Sequence, residues 1–221
     1  LAGVRLFVGH VIRFFPAYAG LKRQLAAGRI GDVGVAHAKR IGPHPGLASG
    51  WYRDSALSGG VLLDLLIHDI DFMRWCLGEI KSVYATRHMT EQVDYAQVTL
   101  RFVSGAMASL EGYWGYPGPF TSAAEFAGKR GVLRYDSARE QSLKVLRSAE
   151  ALSGPAVAVP QSPAVADPYF KELRHFLDCI RLESVPLVTP EDACEALRIA
   201  LAAHRSAQTG MPLDLAGDAN G

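Results

Sequence analysis

The sequence predicts an α+β protein in which a large, mostly antiparallel sheet carries helices on one face. The middle of the chain holds a succession of short segments rich in β-branched and aromatic residues, which is typical of strands. Segments with apolar residues at helical spacing stand before and after this succession. With 221 residues, 49% of them hydrophobic, the chain can bury a sizeable core and is not expected to be disordered.

The strand predictions depend on residue type and on alternation along the chain. The clearest alternation lies between Tyr95 and Phe102, where every second residue is apolar. Such a strand packs one face on helices and turns the other toward water or another subunit. Residues 128–131 are predicted to connect a hairpin. The predicted strands are Val33 to Ile41, Val83 to His88, Tyr95 to Phe102, Ala106 to Trp114, Thr121 to Phe126 and Val132 to Asp136.

The helix predictions depend on apolar spacing and on end signals. Gly28 and Gly78 end the first two helices, and the last two begin with proline after the N-cap residues Asp167 and Thr189. We expect the last two helices to cover one sheet face, and residues 42–58 and 149–168 to form loops. The predicted helices are Ala17 to Ala27, Gly60 to Leu77, Pro168 to Leu182 and Pro190 to Ser206.

The first residues predict a strand without a partner. Val4 to Gly9 has apolar residues at nearly every position, the pattern of a strand covered on both faces. Pro16 and a helix follow, so a parallel neighbour would have to come from sequence upstream of residue 1. We therefore interpret the N-terminus as truncated.

Composition and charge exclude several classes of function. The 23 Lys and Arg residues nearly balance the 22 Asp and Glu residues and are scattered, which argues against nucleic acid as a partner. No apolar run approaches the roughly 20 residues that cross a bilayer, so no membrane partner is expected. Cys76, Cys179 and Cys194 are far apart, which predicts reduced thiols and a cytoplasmic protein.

Asp64 and His68 are the most informative pair in the chain. They lie four residues apart in a long apolar run, so a helix would place them side by side on one face. A buried polar group without a partner costs roughly 1–3 kcal/mol, and a working site would supply partners. One alternative is that Asp64 and His68 only form hydrogen bonds with nearby loops. Another is a zinc site completed by His37, His44 or Asp71, although no further ligand cluster is evident, and we predict no metal.

Four stretches of the sequence, in this order, resemble the C-terminal part of the Gfo/Idh/MocA family. These NAD(P)-dependent oxidoreductases include glucose-fructose oxidoreductase and inositol dehydrogenase. The resemblance covers nearly the whole chain, and its Gly-Gly-x3-Asp-x3-His element is the most specific part. The stretches are Val8 to Pro16, Gly59 to Gly78, Gly128 to Leu133, and Phe170 to Asp214 with Glu172 and Phe176.

The resemblance implies two domains. Residues 1–15 would contain the last strand of a Rossmann domain that binds NAD or NADP, and residues 16–221 would form a domain for substrate binding and oligomerisation. No glycine-rich phosphate turn follows a strand into a helix here, so the cofactor-binding residues are unknown. The fragment alone is therefore expected to be inactive.

The resemblance also implies catalytic roles for Asp64 and His68, because the corresponding family residues lie beside the nicotinamide and the substrate hydroxyl. Oxidation of a sugar or polyol alcohol requires loss of the hydroxyl proton. His68, with a pKa near neutrality, would take this proton as general base. Asp64 would orient the imidazole or bind a neighbouring hydroxyl.

Further substrate-binding candidates come from the same resemblance. His10, Arg13 and Trp51 are expected to line the pocket, although Arg13 can equally pair with a carboxylate and Trp51 can equally pack. Gly59 and Gly60 have no side chains to block the approach of cofactor or sugar.

Several interpretations remain open at this stage. The chain can also be a carbohydrate-binding module without a cofactor domain, or a structural oligomerisation domain. Aromatic residues at strand ends can stack on a sugar but usually pack, and Asp69 and Asp71 are expected to cap, pair or face solvent. The strand-end aromatic residues are Tyr113, Trp114 and Tyr116. A homodimer or tetramer is expected through the polar sheet face formed by Gln97, Thr99, Arg101, Ser109 and Glu111.

Overall fold

The computed structural model describes residues 4–139 and 167–215. These residues form a seven-stranded sheet with the order β6-β5-β1-β4-β3-β2-β7. β1 and β4 are parallel, and every other neighbouring pair is antiparallel. The mostly antiparallel sheet is therefore confirmed, and the short β7 is an addition to it. The strands are β1 Val33–Gly42, β2 Ile80–Met89, β3 Asp94–Phe102, β4 Met107–Trp114, β5 Thr121–Gly128, β6 Gly131–Asp136 and β7 Leu213–Asp214.

The predicted helices are present, with one change that matters for the site. The expected helix over 60–77 is divided into a π-helical turn, Val61–Leu65, and an α-helix. The N-cap predictions are confirmed: Asp167 accepts a hydrogen bond from the N–H of Tyr169, and Thr189 accepts one from the N–H of Asp192. The α-helices are α1 Pro16–Ala26, α2 Ser55–Ser58, α3 Ile67–Leu77, α4 Pro168–Leu182 and α5 Pro190–Thr209. Short 3-10 turns cover Val11–Phe14, Pro45–Leu47 and Gly50–Arg53.

The core lies between one face of the sheet and the helices. Burial along β3 alternates as predicted, with Ala96, Val98 and Leu100 fully buried. α5 packs on β2, and α3 packs on α5. The opposite face stays open, and Lys39 and Glu111 form an ion pair across it at 3.4 Å. One apolar face and one polar face are therefore confirmed.

The prediction that α4 covers the sheet is wrong. α4 packs against the turn Val11–Phe14 instead. Its apolar positions are 50–60% exposed, because nothing in the described ranges covers them. These positions, here called the α4 stripe, are Phe170, Leu173, Leu177 and Ile180. The predicted loop over 149–168 lies outside the described residues except at its end, where α4 begins.

The predicted strand Val4 to Gly9 is not observed. A strand needs a neighbour to complete its backbone hydrogen bonds, and no described strand pairs with these residues. Val4 is 82% exposed among the described residues, and the predicted burial by an upstream neighbour stays a prediction. The segment is attached to α4, where Phe7 stacks on Phe176 at a centroid distance of 4.8 Å and Arg5 donates to the carbonyl of Ser184 at 2.6 Å.

Candidate active site

Two glycines lead into the segment that carries the predicted catalytic pair. Gly59 and Gly60 have φ values of +74° and +66°, and Gly60 combines this with a ψ of −161°, a region that belongs to glycine. A Cβ on Gly60 would lie 2.1 Å from Nη2 of Arg87 and 2.5 Å from Oδ2 of Asp94. Backbone conformation and packing thus require glycine at 60. Contact of Gly59 or Gly60 with a substrate stays a prediction.

Asp94, at the start of β3, holds the first turn after these glycines. Its Oδ2 accepts a hydrogen bond from the backbone N–H of Val61 at 2.8 Å. Nε and Nη2 of Arg87 donate to the same buried carboxylate at 2.7 and 2.6 Å. Charge-assisted bonds of this kind are strong, so Asp94 ties the segment to the sheet. Sequence analysis missed Asp94 because its partner on the segment is 33 residues away.

The π-helical turn places the two predicted catalytic residues. The N–H of Leu66 donates to the carbonyl of Val61 at 2.8 Å, so one residue more than in an α-helix fills the turn. The turn lies directly on β4, where a Cβ on Gly112 would come within 2.7 Å of Leu66 Cγ. Asp64 lies in the π turn and His68 in the first turn of α3. π turns are frequent at functional sites.

The predicted orientation of His68 by Asp64 is not observed at Nδ1. This nitrogen of His68 is buried and has no hydrogen-bond partner among the described residues. The wider turn between the two residues breaks the regular four-residue spacing on which the prediction depended. Burial raises the pKa of Asp64.

His10 and His68 lie next to each other in the structure. The two rings meet edge to face with centroids 5.7 Å apart. Nδ1 of His10 is also buried without a partner. Burial, the Arg40 guanidinium and His10 lower the pKa of His68 to about 3. Burial lowers the pKa of His10 as well, although the Asp71 carboxylate opposes this. Both imidazoles are neutral near pH 7, and the expected pKa near neutrality for His68 is wrong.

Arg13 belongs to a buried ion-pair network. Its Nε and Nη2 donate to Asp71 at 2.8 and 2.6 Å, and its Nη1 donates to Asp192 at 3.1 Å. Arg40 pairs with Asp69 through two bonds of 2.8 and 3.1 Å. The predicted ion-pair alternatives for Arg13, Asp69 and Asp71 are therefore confirmed. Four of the five guanidinium N–H groups of Arg13 form hydrogen bonds within the protein. Substrate binding by Arg13 stays a prediction. Asp69 and Asp71 both follow His68 on α3, so the two ion pairs hold this part of the helix in place.

Trp51 belongs to an aromatic cluster. It is 46% exposed and meets Tyr52 edge to face at 5.0 Å, and Tyr52 meets the buried Trp114 at 5.8 Å. The expectation that Trp114 packs inside the protein is confirmed. The ring of His44 lies 5.6 Å from Trp114 and, with Arg53, lines part of a cavity of about 450 Å³. Substrate binding by Trp51 stays a prediction.

The described residues show no metal-binding cluster and no membrane-spanning helix, and their cysteines are free thiols. Within residues 4–139 and 167–215, no group of three or more His, Cys, Asp or Glu side chains is placed to hold a metal ion. Cys76, Cys179 and Cys194 are free thiols, as predicted. Among the helices of the same two ranges, none has the length and apolar character needed to cross a bilayer.

The open mixed sheet with helices on one face can be compared with known protein domains. The family model described as "Oxidoreductase family, C-terminal alpha/beta domain" matches residues 22–215. The chain belongs to the Gfo/Idh/MocA family, as its motifs indicated.

Characterised relatives act on cyclic polyols by name. The chain is 34% identical over 230 residues to the scyllo-inositol 2-dehydrogenase (NAD(+)) of Bacillus subtilis, with 96% of this chain and 63% of the relative covered. It is 29% identical over 214 residues to the myo-inositol 2-dehydrogenase of Thermotoga maritima, with 93% and 63% covered. The chain therefore spans less than two thirds of the length of these curated relatives.

A solved structure shows the same fold. The crystal structure of scyllo-inositol dehydrogenase from Lactobacillus casei, with bound cofactor NAD(H) and scyllo-inositol, superimposes with a TM-score of 0.79 at 25% identity. The superposition covers 98% of this chain and 66% of that chain.

Proposed function

We propose that this chain is the catalytic and substrate-binding part of an NAD(P)-dependent oxidoreductase that oxidises a secondary alcohol of an inositol-like polyol. The observation that carries the proposal is the neutral, half-buried imidazole of His68, whose buried Nδ1 has no partner among the described residues and which lies beside His10 after a π turn. The names of the relatives support the substrate class. A cytoplasmic location stays a prediction.

Proton transfer is the step that this chain performs in the proposed reaction. Oxidation removes a hydride from the carbinol carbon and a proton from its oxygen. The nicotinamide, when bound, accepts the hydride. The imidazole of His68 accepts the proton, and its pKa of about 3 keeps it unprotonated before each turnover. The proton then leaves His68 for solvent water. Asp64, half-buried with a raised pKa, accepts a hydrogen bond from a neighbouring hydroxyl.

The residues of this chain suit contacts with the nicotinamide end of the cofactor rather than with its phosphates. The unpartnered buried nitrogens of His10 and His68 suit polar atoms brought by another group. NAD or NADP would bind through an upstream domain that includes residues 1–15. The exposed α4 stripe, with the exposed Val4 and Leu6 beside it, supports such a domain because apolar patches of this kind usually meet a partner.

We further propose a homo-oligomer formed through the open sheet face. Val35, Tyr84 and Met107 are 39–45% exposed among the polar residues of this face. A shallow depression of about 370 Å³ crosses it, lined in part by His37 and Glu125. Interfaces between identical subunits combine such apolar positions with a polar rim.

The test is turnover of myo-inositol, scyllo-inositol and acyclic polyols with NAD and NADP, using the polypeptide together with its upstream sequence. We expect oxidation of at least one cyclic polyol. His68→Ala should lower kcat by about 10² or more, the usual contribution of a general base.

The matched control is His88→Ala, because His88 is an exposed histidine on β2. It should retain the activity of the unmodified protein. Absence of turnover on every polyol, despite cofactor binding, would contradict an enzymatic role and favour the carbohydrate-binding alternative.

A further inference from the structure

Glu172, on α4, carries a buried carboxyl oxygen that the described chain leaves unsatisfied. The residue is 6% exposed, and its Oε1 is enclosed without a hydrogen-bond partner. Burial raises the pKa of this carboxyl to about 7. Buried acceptors in folded proteins nearly always have a donor, so an unpaired one indicates a group supplied from elsewhere.

The unsatisfied carboxyl lies beside the residue that precedes the site histidine His10. A Cβ on Gly9 would lie 3.6 Å from Oε2 of Glu172, so the carboxyl takes the space beside Gly9. The next residue, His10, meets His68. Four buried side-chain nitrogen or oxygen atoms lack partners among the described residues, and three of them belong to His10, His68 and Glu172. His10 and His68 are thus in ring contact, and Glu172 lies beside Gly9, the residue that precedes His10.

We propose that Glu172 binds the carboxamide NH2 group of the nicotinamide and thereby fixes the rotation of the ring beside His68. This inference rests on the proposed function. The carboxamide NH2 is the hydrogen-bond donor at the reactive end of the cofactor, and Oε1 of Glu172 is an unpaired acceptor. Fixing ring rotation decides which face of the nicotinamide meets the substrate carbon, so the contact acts on geometry rather than on proton transfer.

The experiment compares two cofactors on the full-length polypeptide. One is the reduced dinucleotide that the unmodified protein binds, and the other is its 3-acetylpyridine analogue, in which a methyl group replaces the NH2. Dissociation constants are measured by fluorescence titration without substrate. We expect the unmodified protein to bind the natural cofactor about tenfold or more tighter, the effect of one hydrogen bond to a charged group.

The variants then locate the origin of that preference. Glu172→Ala should bind both cofactors with similar affinity, because the acceptor is gone. Glu172→Gln should retain part of the preference through its amide oxygen, and it preserves packing if Glu172→Ala does not fold. Asp178→Ala, on the exposed side of the same helix, is the matched control and should keep the full preference.

The possible outcomes separate the inference from the proposed function. If Glu172→Ala weakens both cofactors by the same factor, or if the unmodified protein does not distinguish them, the carboxyl only supports the Gly9 turn and the inference is overturned. If the unmodified protein binds neither NADH nor NADPH, the proposed function itself is overturned.

Discussion

His68 differs from an ordinary histidine because burial, the Arg40 guanidinium and the neighbouring His10 all lower its pKa. Its ring is partly buried, and Arg40 and His10 lie near enough to disfavour the imidazolium. The sequence indicated His68 as a candidate because Asp64 and apolar residues surround it in the chain. It did not indicate that Arg40, on β1, lies close to His68 in the fold. The sequence therefore could not predict the lowered pKa of His68, and its catalytic role stays a prediction.

The low pKa of His68 predicts how stability depends on pH. The pKa is about 3 in the folded protein and about 6.5 when unfolded, so the unfolded chain binds the proton first as the pH falls. The stability that neutral His68 contributes is complete above pH 6.5 and is lost progressively toward pH 3. At pH 5 the loss is about 2 kcal/mol.

The measurement is urea unfolding of the unmodified protein and His68→Gln at pH 7.5 and pH 5. His68→Gln should lose less stability between these values, because glutamine does not titrate. Glu172 has a raised pKa and therefore an opposite pH dependence, but it is present in both proteins and cancels in the comparison. Identical pH dependence in the two proteins would argue against a buried, neutral His68.

At the scale of elements, the sequence predicted what short-range patterns specify. The alternation from Tyr95 to Phe102 and the caps at Asp167 and Thr189 are local signals, and the structure follows them. The π turn at 61–65 was missed because it depends on contacts from distant segments, including the bond from Asp94. The position of α4 was missed because a helical apolar stripe does not say which surface it meets.

The entry to the π turn gives a stability prediction. Gly60→Ala should destabilise the protein by at least about 2 kcal/mol, because alanine is strained at this φ and its Cβ would collide with Arg87 and Asp94. Urea unfolding measures the change. Gly34→Ala is the matched control: its Cβ would meet nothing within 4 Å, and we expect a change within about 1 kcal/mol. Equal effects of the two substitutions would contradict the structural role of Gly60.

At the scale of the whole molecule, the domain presents two surfaces of different character. The α4 stripe is apolar and lies beside the N-terminal segment, whereas the open sheet face is mixed, with ion pairs and exposed apolar side chains. We assign the first to the upstream cofactor domain and the second to a second copy of the chain. His10 directly precedes the turn Val11–Phe14 that packs on α4, where an added domain would close over it.

The assignment of the open face predicts a change in oligomeric state. Ser109→Arg places a bulky charge at the centre of this face, on β4 beside β1 and β3, and should shift the protein toward monomer. Light scattering coupled to size-exclusion chromatography measures the mass. Gln208→Arg adds the same charge at an exposed position of α5 and should leave the measured mass of the oligomer unchanged. An unmodified protein that is already monomeric would contradict the assignment.

The central claim is that His68 carries the proton of the oxidised alcohol, and chemical rescue tests it most directly. Added imidazole should restore part of the polyol-dependent cofactor reduction that His68→Ala loses, with rescue rising as the pH increases the fraction of neutral imidazole. The same imidazole should not accelerate the unmodified protein. Full activity of His68→Ala, or no rescue although cofactor and polyol still bind, would contradict the assignment of His68 as proton acceptor.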